Sequence, residues 1–91
     1  MRFGTGSGGF VTRGAGLEAL QRYEEALASY DKAIEIKPDN YYAWQNRGSA
    51  LGYLQRYEEA IASYKKVIEI KPDDRDTWND IGMALYELKR Y

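Results

Sequence analysis

Tyr23, Ala26, Leu27, Tyr30, Ala33 and Ile34 fall at i, i+3, i+4, i+7 spacing, with charged and polar residues between them. That is the stripe of a helix with one buried face, and it predicts a helix from Tyr23 to Ile36. Glu24 and Glu25 stand in its first turn and Lys37 just past its end, as the helix macrodipole favours. Pro38 forbids continuation, since it lacks an amide hydrogen, and Asp39 or Asn40 can cap a following helix. The next stretch, 42–54, places Trp44, Arg47, Gly48, Leu51 and Leu54 on its inner side. Tyr57–Ile70 repeats the first good stripe and is stopped by Pro72. Asp73 or Asp74 then caps a last helix over 75–89. Ahead of all of these, 10–20 predicts only a weak helix, because Gly14 and Gly16 each cost about 1 kcal/mol relative to alanine.

The stripes recur because the text recurs. Leu20-Gln21-Arg22-Tyr23-Glu24-Glu25-Ala26 returns as Leu54-Gln55-Arg56-Tyr57-Glu58-Glu59-Ala60, and Pro38-Asp39 as Pro72-Asp73, 34 residues later. A third copy starts at Asp76-Thr77-Trp78-Asn79 and stops at Arg90-Tyr91. A period of this length marks helix–turn–helix units that stack into a solenoid, each too small to bury its apolar face alone. The expected organisation is a flexible glycine-rich linker or engineered scar over 1–9, followed by a helical domain over 10–91. Within it, repeat one covers about 7–40, repeat two 41–74 and a half repeat 75–91. The turns at Gln21-Arg22 and Gln55-Arg56 hold no residue that favours a left-handed backbone. A helix could run through them, and the hairpin could open and exchange between chains.

Charge and composition narrow the function. Thirteen basic and fourteen acidic residues give a net charge of −1, so there is no electrostatic footprint for nucleic acid or an anionic membrane. No apolar run reaches the roughly 20 residues of a membrane span, and Met1–Phe10 has no secretory core. With no targeting signal, the expected compartment is the cytoplasm. The chain has no cysteine and no histidine, which removes thiolate chemistry and the commonest general base and metal ligand.

The remaining motifs fail on context. Gly4-Thr5-Gly6-Ser7-Gly8-Gly9 matches G-x-G-x-x-G, but only Met1-Arg2-Phe3 stands where a strand should precede it. Phe10 and Val11 replace the Lys and Ser/Thr of a phosphate loop. Asp73, Asp74, Asp76 and Asp80 lack the alternation, turn glycine and final glutamate of a calcium loop, and read as a capped helix start. Glu24-Glu25 and Glu58-Glu59 point about 100° apart on a helix and do not converge on a substrate. The expectation is a non-catalytic chain with no cofactor and no metal site.

Trp44, Gly48, Leu51, Ala60, Tyr64, Val67 and Pro72, continued by Trp78, Gly82 and Leu85, stand at the spacings of the tetratricopeptide repeat, and the chain resembles that family from about Phe10 to Tyr91. Gly48 and Gly82 lack a Cβ and let the paired helix approach, so Gly48 is expected to take nothing larger than alanine. The first copy departs from the pattern, with Phe10 for tryptophan, Leu17 for tyrosine and surplus glycines, so its leading helix reads as degenerate. The resemblance implies an all-α fold, a right-handed solenoid of antiparallel helix hairpins with about five helices. It also implies a concave groove lined by the first helix of each repeat, here Tyr42, Gln45, Asn46, Ser49 and Tyr53, then Asp76, Asn79, Asp80, Met83 and Glu87. Chaperone-binding members grip a terminal carboxylate with Lys, Asn and Arg. Only Asn46 matches that clamp, while Val11, Ala15, Asp76 and Asp80 fill its other positions. The implied partner is a protein or peptide, and the acidic end of the groove favours a basic one.

The competing expectation is self-assembly. Ile81, Ala84 and Leu88 can pack back onto repeat two, leaving Trp78, Gly82 and Leu85 facing a helix that the half repeat does not supply. Joining Trp78 and Leu85 of one chain to Tyr23, Leu27 and Tyr30 of another would close a two-fold homodimer.

Overall fold

In a computed structural model, which describes residues 6–90, five helices follow one another: α1 Ser7–Ala19, α2 Tyr23–Ile36, α3 Tyr41–Tyr53, α4 Tyr57–Ile70 and α5 Arg75–Arg90. They pack as antiparallel hairpins, α1 on α2 and α3 on α4, with α2 meeting α3 and α4 meeting α5. The stack measures 48 × 28 × 17 Å. Both second helices end as expected. Lys37 and Lys71 both leave the helical region, Lys37 for extended backbone, as a residue before proline is driven away from helix. Asn40 caps α3, its side chain accepting from the Tyr42 amide at 3.2 Å.

The turns inside each repeat differ from expectation. Gln21 and Gln55 both adopt a left-handed backbone, φ 61° in each case, and end their helices cleanly. The Arg22 amide donates to the Leu17 carbonyl and the Gln21 amide to that of Glu18; Arg56 and Gln55 do the same to Leu51 and Gly52. This is the six-to-one, five-to-two pair of a Schellman cap, built with glutamine where glycine is usual. Each turn is then clasped by its arginine. Arg22 pairs with Glu25, and Arg56 pairs with Glu59 at 2.6 Å and with Glu24 of the preceding repeat at 3.3 Å.

The first helix is also better formed than its glycines predict. Residues 1–5 of the expected linker lie outside the described residues, but Ser7, Gly8 and Gly9 are the first turn of α1. The buried Ser7 hydroxyl donates to the Ala33 carbonyl at 2.9 Å and accepts from Asn40 Nδ2 at 2.8 Å. Ser29 donates to the Phe10 carbonyl at 2.8 Å. Gly14 is no surplus residue, because a Cβ there would overlap the ring of Tyr30. Seating a large apolar side chain stabilises by roughly 1.5–3 kcal/mol, more than the ~1 kcal/mol that a helical glycine costs.

Gly48 repeats the device, and more tightly than expected. A Cβ would lie 2.5 Å from Cε1 and 2.8 Å from Cδ1 of Tyr64, so even alanine does not fit without movement. Around these two ring-on-glycine contacts sit Ala26, Leu27, Ala50, Leu51, Ala60 and Ile81, the core of the stack.

Candidate functional site

The first helices of repeats two and three, α3 and α5, flank α4, and between the three lies an open cleft of about 330 Å³. Its walls are Ser49 and Tyr53 from α3, Tyr57 and Tyr64 from α4, and Asp80, Met83 and Glu87 from α5. Gly52 leaves the α3 wall without a side chain at the position where α1 carries Glu18 and α5 carries Tyr86.

Of the ten groove residues expected from the sequence, five meet here: Ser49, Tyr53, Asp80, Met83 and Glu87. Gln45 is committed to structure, its Nε2 donating to Thr77 Oγ1 at 3.2 Å and tying α3 to α5. Asn46 is half-buried outside the cleft lining. Tyr42 stacks on Tyr41, ring centroids 4.2 Å apart, at the far end of α3. Asp76 is in the first turn of α5, among Lys71, Asp73, Asp74 and Arg75, and Asp74 accepts from the Thr77 hydroxyl at 3.1 Å. Asn79 is on the other side of α5 with Trp78 and Gly82.

The sequence reading missed three contributors. Tyr57 and Tyr64 come from the second helix of the repeat, outside the first helices on which the resemblance places the groove. The third is Glu18, which accepts from the Tyr30 hydroxyl at 2.7 Å and from Ser49 at 3.1 Å, bringing a carboxylate of α1 to the edge of the cleft. In the 34-residue register Glu18 is the counterpart of Gly52, so the repeat pattern itself carries no signal for its contact with Ser49.

The cleft is acidic and aromatic. Burial raises the Asp80 carboxyl above its usual range, and Asp76 and Asp74 push it the same way. The Tyr64 hydroxyl is raised well above the ordinary phenol value by burial first, then by Asp80, Glu18 and Tyr53. No Lys or Arg lines the cleft itself, and Arg90, one turn on along α5, pairs with the Glu87 carboxylate at 3.2 Å. Tyr53 presents a firm wall, because its other face stacks on Tyr23 with centroids 4.8 Å apart and planes 12° from parallel. Such a site suits a cation with an apolar stem: carboxylates attract the charge, and tyrosine faces take the methylenes and cation–π contact.

The residues expected to join two chains divide differently. Trp78 and Leu85 are exposed as anticipated. Tyr30 and Leu27 are buried inside the chain, and Tyr23 is held by Tyr53. Within the chain α1 covers this face of α2.

Comparison with known proteins agrees with this architecture. A tetratricopeptide repeat model matches residues 41–74, and a second TPR repeat model matches residues 18–54. Together they span more than half of the 91-residue chain. Among solved structures the chain is similar to MamA, with a TM-score of 0.91 and 21% identity over 94% of this chain and 47% of that one. It is similar to the first TPR of Spaghetti (RPAP3), solved bound to the HSP90 peptide SRMEEVD, with a TM-score of 0.90 and 22% identity over 93% of this chain and 68% of that one. A third is YrrB, a TPR protein with an unusual peptide-binding site, with a TM-score of 0.82 and 25% identity over 89% of this chain and 42% of that one. The chain spans about half the length of MamA and less than half that of YrrB. No curated protein sequence matches it significantly. With the repeat models on two consecutive copies and the hairpin stack built from both, this chain belongs to the tetratricopeptide repeat family.

Proposed function

We propose that this chain is a non-catalytic peptide-binding module whose cleft between α3, α4 and α5 receives a basic segment of a partner protein. The observation that carries the reading is the placing of the Asp80 and Glu87 carboxylates beside the tyrosine wall, with only the exposed Arg90 paired to Glu87. A lysine or arginine side chain laid along Tyr53 and Tyr64 would place its charge between the two carboxylates. Its arrival would also favour the ionised form of the Asp80 carboxyl, which burial first, and then Asp76 and Asp74, disfavour. The RPAP3 domain is solved with a peptide carrying two glutamates and an aspartate. A ligand of that charge would meet Asp80 and Glu87 here with repulsion, so the two grooves select opposite partners.

The test is fluorescence anisotropy with a labelled octapeptide alternating Lys and Leu, against the same peptide with Glu for Lys. The lysine peptide should bind and weaken with added salt, and the double variant Asp80→Asn, Glu87→Gln should lose roughly tenfold or more in affinity, a charged hydrogen bond contributing about 1.5–3 kcal/mol. Equal binding of the two peptides, or an unaffected double variant, would sink the proposal.

A further inference from the structure

Of the carboxylates in and around the cleft, Asp80 alone is left open. Glu87 pairs with Arg90 at 3.2 Å, and Glu18 at the edge accepts from the Tyr30 and Ser49 hydroxyls. Asp80 is half-buried in the α5 wall and has no hydrogen-bond or ion-pair partner among the described residues. A carboxylate that gives up part of its hydration without a partner carries a cost, which an arriving cation offsets. Tyr53 lines the same cleft. Its stack on Tyr23, with planes 12° apart, fixes the ring, and the residue is still 63% exposed, so a flat face remains for a ligand. Both Asp80 and Tyr53 raise the Tyr64 hydroxyl, which places the two of them near that one point. Gly52, beside Tyr53, adds no side chain to the wall, and a Cβ there would meet nothing within 4 Å.

The chain itself shows which cation it takes out of water. Among the described residues Arg47 is the one lysine or arginine that is not exposed. Its guanidinium carbon lies 5.9 Å from the Trp44 ring centroid, while Nε donates to Asp31 at 2.8 Å and Nη1 to Ser63 at 2.6 Å. Lys66 and Lys71 also stand over aromatic rings, at 6.0 and 4.4 Å, and both remain exposed. The difference is physical. An ammonium is a compact charge that holds its water strongly; a guanidinium is planar, weakly hydrated, and stacks on a ring while its N–H fork reaches a carboxylate. We infer, building on the basic-segment reading above, that the cleft selects arginine over lysine, the guanidinium lying flat on the open face of Tyr53 and donating its fork to Asp80. A lysine ammonium brings the same charge but neither the plane nor the fork.

The experiment is anisotropy on the full chain with three labelled octapeptides, leucine alternating with arginine, with lysine and with glutamate. The arginine and lysine peptides carry the same charge, so the ratio of their affinities reports the head group alone. The arginine peptide should bind about five- to tenfold tighter than the lysine peptide, the size of a stacking contact together with a charged fork. Asp80→Asn removes the charge and one acceptor of the fork, and should bring that ratio to about twofold or less. The same charge change outside the cleft, Asp73→Asn, should leave the ratio as it was. Tyr53→Leu keeps the wall apolar but removes the plane, and should also narrow the ratio, with helix ellipticity checking that the variant is folded. Equal affinity for arginine and lysine peptides, both above the glutamate peptide, would leave the basic-segment reading standing and overturn the selection of arginine. Binding of none of the three would overturn both. An arginine preference that persists undiminished in Asp80→Asn would put the guanidinium elsewhere and overturn the inference as well.

Discussion

Alanine at Gly48 and alanine at Gly82 are the same chemical change at equivalent points of two repeats, and they should move stability in opposite directions. In both helices alanine removes the conformational freedom of glycine, which is worth about 1 kcal/mol of stabilisation at a helix interior. At Gly82 nothing opposes that gain, because the added methyl meets open space. At Gly48 the methyl would stand 2.5–2.9 Å from three ring atoms of Tyr64, against the ordinary contact of about 3.5–4.0 Å between carbons. The ring has little room to yield, since Tyr64 is part of the buried cluster with Ala60 and Leu51. Separating the helices or turning the ring costs about 1–3 kcal/mol, the usual range for overpacking. The balance predicts Gly82→Ala more stable than the parent by about 0.5–1 kcal/mol and Gly48→Ala less stable by up to about 2 kcal/mol. In a domain of this size 1 kcal/mol moves the midpoint by about 4–8 °C, so thermal and urea melts followed by helix ellipticity resolve the two. Equal shifts of the two variants in the same direction would refute the assigned ring-on-glycine packing. Gly14→Ala should behave as Gly48→Ala does.

Two further outcomes follow from backbone and charge. Gln55→Gly should raise stability by about 0.5–1 kcal/mol in a urea melt, because a non-glycine residue at φ 61° carries left-handed strain of about 1–2 kcal/mol, offset in part by glycine's own entropy; a loss of stability would show that the glutamine side chain, not the backbone geometry, holds the turn. Asp80 has a folded-state pKa above its unfolded value, so its favourable contribution is present in acid and is lost as pH rises through the folded value. Asp80→Asn should therefore melt higher than the parent at pH 7, with the gap closing as pH falls through the carboxylate range near 4, and a lower melting temperature at pH 7 would contradict the burial assigned to that carboxyl.

The sequence by itself determined the repeat, its period and the helix ends that proline enforces. Those signals are local: the stripe of Tyr57–Ile70 and the extended backbone forced on Lys37 by Pro38 need no neighbour to operate. Apolar residues on α5 were also legible, with Ile81 and Ala84 turned inward and Trp78 and Leu85 left outside. Only the tertiary structure decided the rest, and in each case because a contact overrode a local preference. Ser7-Gly8-Gly9 has the composition of a linker, yet the Ala33 carbonyl and Asn40 amide, distant in sequence, hold it in a helix. Gln21 and Gln55 have no taste for left-handed backbone, but the Schellman hydrogen bonds and the arginine clasps impose it. The groove was placed by analogy on first helices alone. Its chemistry came from Tyr57 and Tyr64 on a second helix and from Glu18 of the repeat before, residues that meet only when the hairpins are stacked.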